Sequence, residues 1–257
     1  MEQTFTVTMG HSAEARTWPA ENRRDLTWDE VCTELLDPRE AATGEAKDGP
    51  CFVPGVFAGA RRVAAEVAGI SLLVGDIDCG LDAGDIVKPL RRSGWAWALA
   101  STHSHMKREF TKRFSAAVWA RLLGVFGSTE GVALAWARTV FVPAVVNGGL
   151  AAVVTELVPG GSVSLAVVLA HPVPRWRVVV PLAAPWVPPG GPGRAAAGMW
   201  SQNYPRLWDG IGLGGLIDPA CADPSRLYYT GRQPALVGTE LPGRLVVTPE
   251  LYKRRDG

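Results

Sequence analysis

An apolar run that ends in two aspartates constrains this sequence more than any other feature. Residues 69–78 read GISLLVGDID, and a short apolar run bounded by glycine is typical of a buried β-strand. Side chains alternate along a strand, so Asp76 and Asp78 are predicted to share one face. Two neighbouring carboxylates repel each other, and one or two divalent cations with oxygen ligands would relieve that repulsion. The alternative is an acidic strand end exposed to solvent.

The rest of the chain contains patterns of short strands and helices. Its 29 glycines and 20 prolines also indicate many turns between short elements. Thr27 and Glu30 have the spacing of a capping box. The predicted strands are 4–9, 51–53, 95–105 and 175–182. The predicted helices are 27–36, 82–92 and 195–209, and basic and apolar residues recur at helical spacing over 107–138. The predicted loops and turns are 38–50, 183–194 and 218–227.

Composition sets limits on the class of protein. With 47% hydrophobic and 20% charged residues, the chain is able to bury a core and is not disordered. A net charge of +1 excludes a strongly basic protein that coats nucleic acid, but it allows a local basic patch. The four cysteines include no C-x-x-C pair, which argues against a zinc ribbon and is typical of reduced cytosolic thiols.

No segment has the pattern of a membrane span or a targeting signal. The most apolar stretch, Thr139–Ala170, is interrupted by Pro143, Asn147, Glu156 and two glycine pairs. A bilayer span needs about 20 predominantly apolar residues, so this stretch is interpreted as buried structure. The first residues lack the charged and apolar regions of a signal peptide. We therefore expect a cytoplasmic protein without a membrane partner.

A Ser/His segment is a second candidate for chemistry. Residues 101–105 read STHSH, which on a strand would place Ser101, His103 and His105 on one face and Thr102 and Ser104 on the other. Two histidines spaced in this way can ligate a metal or contact phosphate oxygens. The alternative is a pair of histidines that make ordinary hydrogen bonds.

Two further segments carry arginine. Arg175 and Arg177 alternate on one strand and suit bidentate phosphate contacts, or they lie on a solvated edge strand. Asp218 would supply a third carboxylate, and Arg226, after Asp223, would supply another phosphate ligand. The alternative for this last segment is a polar turn capped by aspartate.

Taken in order, these segments resemble the primase-polymerase domains of the archaeo-eukaryotic primase superfamily, as found in phage and plasmid replication proteins. The resemblance covers most of the chain, although each motif is short. The matching pieces are KDGPCFVPG at 47–55 with Arg61 and Arg62, SLLVGDID at 71–78, STHSH at 101–105, PRWRVVVPL at 174–182, and Asp218 with DPSRLYY at 223–229.

The resemblance implies a set of catalytic and nucleotide-binding residues. Asp76, Asp78 and Asp218 would hold two Mg²⁺ or Mn²⁺ ions. A histidine would contact the phosphates of the incoming nucleotide with a serine beside it: either His103 with Ser101 or His105 with Ser104. The remaining residues that would bind the triphosphate or the template are Arg177, Ser225 and Arg226.

The resemblance also implies a fold and a set of partners. We expect an α/β (α+β) chain in which an antiparallel, RNA-recognition-like catalytic sheet lies beside an N-terminal α/β lobe, with the active site in the cleft between them. The expected partners are nucleoside triphosphates, a single-stranded DNA template and primer, and a replicative helicase, in the cytoplasm of a bacterium that carries the phage or plasmid. The alternatives are a metal-dependent nuclease or phosphohydrolase, and a non-catalytic nucleic-acid-binding module.

One segment departs from the family pattern. In relatives the histidine and arginine strands are close in sequence, whereas here residues 107–173 intervene. We interpret 1–257 as a single primase-polymerase domain that carries 107–173 as an inserted helical, apolar segment and 238–257 as a linker-like tail. The inserted segment would bind template or a partner, or would instead disturb the geometry between His105 and Arg177.

Overall fold

The computed structural model describes residues 3–12, 15, 17–36, 49–102, 106–230 and 236–238. Its strands are β1 (Phe5–Gly10), β2 (Arg23–Leu26), β3 (Cys51–Val53), β4 (Gly55–Phe57), β5 (Val67–Ile77), β6 (Trp97–Ser101), β7 (Lys107–Ser115), β8 (Leu150–Val158), β9 (Ser162–Val173), β10 (Trp176–Trp186), β11 (Tyr228–Tyr229) and β12 (Leu236–Gly238). Its helices are α1 (Trp28–Glu30), α2 (Ala83–Ser93), α3 (Ala116–Phe126), α4 (Thr129–Val140), α5 (Pro143–Asn147) and α6 (Arg194–Ile211). The chain is therefore a mixed α/β protein with antiparallel sheets, as the predicted α+β class requires.

The chain divides into two compact units. The first holds the described residues of 1–77, 83–103 and 176–257, and the second holds those of 78–82 and 104–175. The second unit thus includes the segment 107–173, which the sequence analysis predicts to be an insertion.

Two antiparallel sheets build the first unit. One has the strand order β11-β3-β1-β2 and the other the order β12-β6-β10-β5-β4. β5 and β10 lie near the middle of the larger sheet; β5 is buried along nearly all of its length, and β10 is buried from Arg177 to Leu182. Continuous apolar runs of this kind require cover on both faces of a sheet. The predicted capping box is present at α1, where Thr27 and Glu30 bond each other's backbone N–H groups.

Helix α6 covers one face of β5 at Gly75. A methyl group added at Gly75 would lie 2.8 Å from both Trp208 of α6 and Ile217. Gly75→Ala is therefore expected to lower the free energy of unfolding by about 1–3 kcal/mol, the usual cost of overfilling a packed core. Gly69→Ala is the matched control in the same strand, because its added methyl would meet nothing closer than 3.5 Å. Urea denaturation measures both, and equal stability of the two variants would contradict this packing.

The second unit is a three-stranded sheet, ordered β7-β9-β8, with α3, α4 and α5. Its core is formed by alternate residues of β9 and by one side of α4 and α5. The fully buried members on β9 are Leu165, Val167, Leu169 and Val173. The predicted burial of Thr139–Ala170 is correct for this strand and wrong for β8, whose residues are mostly exposed.

The helical spacing at the start of this unit predicted the wrong element. Residues 107–115 form strand β7, and helices begin only at Ala116. Phe110 and Phe114 are four residues apart, and a separation of four places two side chains on one face of either a helix or a strand. Pairing with β9 selects the strand, because Phe110 then lies opposite Val167 and Phe114 opposite Val163.

Other boundaries differ in detail. β10 continues to Trp186 through residues predicted as a loop, with an irregular register after Pro181. β6 spans Trp97–Ser101 within the predicted strand 95–105, of which residues 103–105 lie outside the described residues. Most of the predicted loop 38–50 and the tail 239–257 lie outside the described residues.

None of the helices in the described residues combines the length and the apolar character that a bilayer span requires.

Candidate functional site

Beyond Ile70, the edge of β5 opposite β10 pairs with none of the described strands. The segment around Asp218 covers this edge. Among the described strands, β4 pairs with β5 only up to Ile70. Beyond that point Asp218 donates its backbone N–H to the carbonyl of Asp76 at 2.8 Å, and the N–H of Asp76 points to Sγ of Cys221 at 3.4 Å. Backbone groups of a buried strand need hydrogen-bond partners. The backbone of Asp218 supplies one of them, so Asp218 lies beside Asp76 although the two residues are far apart in the sequence.

Two tyrosines complete the cover of this edge. The hydroxyls of Tyr204 and Tyr228 both donate to the carbonyl of Val74, at 2.6 and 3.1 Å. Burial raises the pKa of both phenols well above the ordinary value, so they remain protonated donors. Burial, and next the charge of Asp76, also raise the pKa of Cys221 to about 11. The thiol at this position is therefore neutral and serves as a structural contact.

The carboxylate of Asp76 is held by Arg177. The register of β5 and β10 places the two residues opposite each other. Nε of Arg177 donates to Oδ1 at 2.8 Å and Nη2 donates to Oδ2 at 3.1 Å, in a bidentate ion pair whose members are only 7% and 5% exposed. Burial alone would lower the pKa of Arg177, but the charge and hydrogen bonds of Asp76 outweigh it and raise that pKa.

The same guanidinium also joins the two sheets of the first unit. Nη1 of Arg177 donates to the carbonyl of Tyr229 on β11. The guanidinium carbon lies 4.8 Å from the ring centroid of Tyr228, within the range of a cation–π contact. The Asp76–Arg177 pair therefore lies where the smaller sheet meets the larger one.

Asp218 has an arginine partner of its own. Nη2 of Arg226 lies 3.0 Å from Oδ2 of Asp218, and both side chains are about 30% exposed. Oδ1 of Asp218 accepts the N–H of Ala220 at 3.0 Å and caps the short 3₁₀ helix Pro219–Ala222. The carboxylate of Asp218 thus caps a helix and forms a partly exposed ion pair.

The turn before Arg226 is built by Asp223, as the alternative interpretation of this segment requires. Oδ1 of Asp223 accepts both the N–H and the hydroxyl of Ser225 at 2.8 Å. The carbonyl of Ser225 accepts a hydrogen bond from Arg62 at 3.3 Å, and the Arg62 guanidinium lies 5.6 Å from the ring centroid of Trp18. Arg62 belongs to the matching pieces, but no pattern in the sequence predicts that it lies beside this turn.

Asp78 belongs to the second unit. Its Oδ2 lies 3.7 Å from Nη1 of Arg175, whose guanidinium lies 4.6 Å from the ring centroid of Phe110. The two aspartates predicted as a pair at the end of β5 thus belong to different units. Asp76 pairs with Arg177 of β10, and Asp78 pairs with Arg175, which lies just before β10. Arg175 and Arg177 are not the solvated arginines of an exposed edge strand.

The Ser/His segment is only partly described. Ser101 and Thr102 are buried, and their hydroxyls hydrogen-bond to no described residue. Ala100 lies opposite Arg177 in the register of β6 and β10, so the end of β6 reaches the neighbourhood of the Asp76–Arg177 pair. His103, Ser104 and His105 lie outside the described residues.

Asp76, Asp78 and Asp218 carry carboxylate oxygens, which are the ligand type that a hard divalent cation prefers. Each of the three is ion-paired with an arginine. Within the described part of the chain, no three His, Cys, Asp or Glu side chains are grouped closely enough to hold a metal ion. The arrangement in the first unit is a neutral set of two carboxylates and two guanidiniums.

Comparisons with known proteins assign the chain to no family. No family model, no curated protein and no solved structure matches it. What points to a function is the order of the short motifs and the contacts that their residues make.

Proposed function

We propose that this chain is a nucleotidyltransferase that primes and extends DNA on a single-stranded template during phage or plasmid replication. The observation that carries the proposal is the contact between the first and last motifs. The hydrogen bond from the backbone N–H of Asp218 to the carbonyl of Asp76 holds the main chains of these two distant segments side by side. Arg177 and Arg226 lie against the two carboxylates, so acidic and basic side chains suited to a metal-bound triphosphate form one cluster.

Each residue has a role in this proposal. Asp76, Asp78 and Asp218 would hold two Mg²⁺ or Mn²⁺ ions, and these ions would supply charge neutralisation at the triphosphate and activation of the primer 3′ hydroxyl. Arg177 and Arg226 would bind phosphate oxygens through their planar forks. Ser101 and Ser225, with Ser104, His103 and His105, would line the triphosphate. Phosphoryl transfer needs positioning and charge stabilisation from the protein rather than covalent chemistry.

The architecture of the first unit is compatible with this proposal. The larger antiparallel sheet, with α6 on one face, would be the RNA-recognition-like catalytic sheet, and the sheet around β1 would belong to the N-terminal lobe. The Asp76–Arg177 pair touches β11 of the smaller sheet, which supports an active site in the cleft between them. A replicative helicase and a cytoplasmic location remain parts of the proposal.

Two alternatives make different predictions. A metal-dependent nuclease or phosphohydrolase would use the same aspartates and would release nucleotides without any requirement for nucleoside triphosphates. A non-catalytic binding module would bind DNA equally well after Asp218→Asn and would incorporate nothing. An assay of labelled primer, template and triphosphate separates the three, because extension, degradation and unchanged DNA are distinct products.

Strand β7 is the proposed contact of the second unit with template. Four of its nine residues are basic and all four are exposed: Lys107, Arg108, Lys112 and Arg113. β7 pairs on one side only, with β9, among the described strands. Exposed cations on a strand at the edge of a sheet suit the backbone of single-stranded DNA. Charged residues also protect an edge strand from aggregation, so the proposal requires a direct test.

Reversing two of these charges is expected to weaken binding of single-stranded DNA. The variant Lys112→Glu/Arg113→Glu should lower affinity at low salt and reduce the slope of log K against log salt by about 0.7 for each phosphate that the protein no longer neutralises. Fluorescence anisotropy with a labelled oligonucleotide measures both. Arg138→Glu, an exposed charge reversal on α4, is the control. Equal salt slopes in the wild type and the double variant would remove β7 from the template surface.

A further inference from the structure

Strand β8 is an edge strand without the features that usually protect such an edge. Among the described strands, it pairs with β9 on one side only. Natural edge strands are commonly short or charged, because an unprotected edge invites pairing with another strand. β8 is nine residues long, and its sequence LAAVVTELV carries a single charge, at Glu156. Most of its residues are exposed, and the exposed fraction is 57% at Val154 and 81% at Leu157.

The other edges of the described sheets have this protection. β4, β11 and β12 are only two or three residues long. β2 has four residues, of which Arg23, Arg24 and Asp25 are charged and exposed. β7 is as long as β8, but it carries four exposed cations. The contrast identifies β8 as the edge that is open to pairing with a further strand.

A second copy of β8 fits this edge. When two identical strands pair antiparallel about a two-fold axis, one residue lies opposite itself. With Val154 at that position, Val153 lies opposite Thr155, and Glu156 lies opposite Ala152. The two Glu156 side chains are then about 14 Å apart, at 3.4 Å for each residue along a strand. A register centred on Thr155 would bring them to about 7 Å on the same face, so charge repulsion favours the register centred on Val154.

We infer that β8 is the contact between two copies of this chain, which pair antiparallel with Val154 opposite Val154 and join their three-stranded sheets into one sheet of six strands. The pairing covers the outward edge of β8 and leaves β7 of each copy, with its cations, at an outer edge. A single strand pair is a small interface, so we expect a weak dimer with a micromolar dissociation constant. The inference uses only residues of the second unit and does not depend on the proposed function.

Two lysine substitutions on one face of β8 test the pairing, because this register predicts effects of opposite sign. Val154→Lys places two lysines directly opposite each other and is expected to weaken the dimer about tenfold. Ala152→Lys places a lysine opposite Glu156 of the second copy and is expected to tighten the dimer about two- to fivefold. Both positions are exposed, so neither substitution should unfold the chain.

Sedimentation equilibrium of the full chain at micromolar concentrations measures the dissociation constant, and circular dichroism checks that each variant is folded. Val187→Lys is the matched control, because Val187 is 64% exposed but lies outside the second unit. It should leave the dissociation constant unchanged.

The wild type is expected to approach twice the mass of one chain as its concentration rises. A wild type that stays monomeric throughout would overturn the inference, whether another segment covers β8 or nothing does. A dimer that Val154→Lys leaves unchanged would place the contact elsewhere and overturn it as well. A dimer that Val154→Lys tightens, or that Ala152→Lys weakens, would overturn the proposed register. Opposite effects of the two lysines, in the predicted directions, would support the pairing.

Discussion

Arg177→Leu is expected to lower the free energy of unfolding by about 3–5 kcal/mol, because it leaves the carboxylate of Asp76 buried without its partner. The substitution removes both the bidentate ion pair and the hydrogen bond to Tyr229. Urea denaturation followed by circular dichroism measures the change. The exposed pair of Arg24 and Glu34 provides the comparison, since Arg24→Leu should cost no more than about 1 kcal/mol.

The double variant Asp76→Asn/Arg177→Leu tests whether the cost arises from the ion pair itself. Removing both charges should restore much of the stability that Arg177→Leu alone loses, because no unpaired charge stays buried. A double variant as unstable as the sum of the single variants would mean that packing of the arginine, not the pair, stabilises this junction. A loss below about 1 kcal/mol for Arg177→Leu would contradict the burial of the pair.

Asp218→Asn is expected to lower nucleotide incorporation by about a hundredfold to a thousandfold, the usual effect of removing one electrostatic stabiliser from an active site. The amide oxygen is still able to accept the N–H of Ala220, so the cap and the fold should persist. Initial rates of primer extension at saturating template measure the loss. Asp85→Asn on α2, an exposed residue paired with Lys88, is the control. Full activity in Asp218→Asn would exclude this carboxylate from the reaction.

Local patterns predicted the elements whose residues point to one structure only. The run from Gly69 to Ile77 is short, apolar and bounded by glycine, which favours a buried strand, and the capping box at Thr27 and Glu30 is a local contact that depends on four residues. The spacing of Phe110 and Phe114 fits a helix and a strand equally well, so only their pairing with β9 decides.

The partners of the candidate site residues could not be predicted, because they depend on register and on tertiary contacts. The sequence placed Asp76 and Arg177 on strands, but not opposite each other. The sequence pattern indicated Arg177 as a phosphate ligand and Asp76 as a metal ligand. It did not predict that the two side chains form a buried ion pair. The contacts of Cys221 and Tyr204 with β5 could not be predicted either, because a residue that covers a strand edge has no local sequence pattern.

The proposed function is tested most directly by de novo priming and primer extension on single-stranded DNA with Mg²⁺ or Mn²⁺, wild type beside Asp78→Asn/Asp218→Asn. This double variant keeps the buried Asp76–Arg177 pair intact, and circular dichroism checks that it is folded. The proposal predicts metal-dependent products from the wild type and none from the variant. A wild type that binds the DNA without extending it, or that degrades it, would contradict the proposed polymerase.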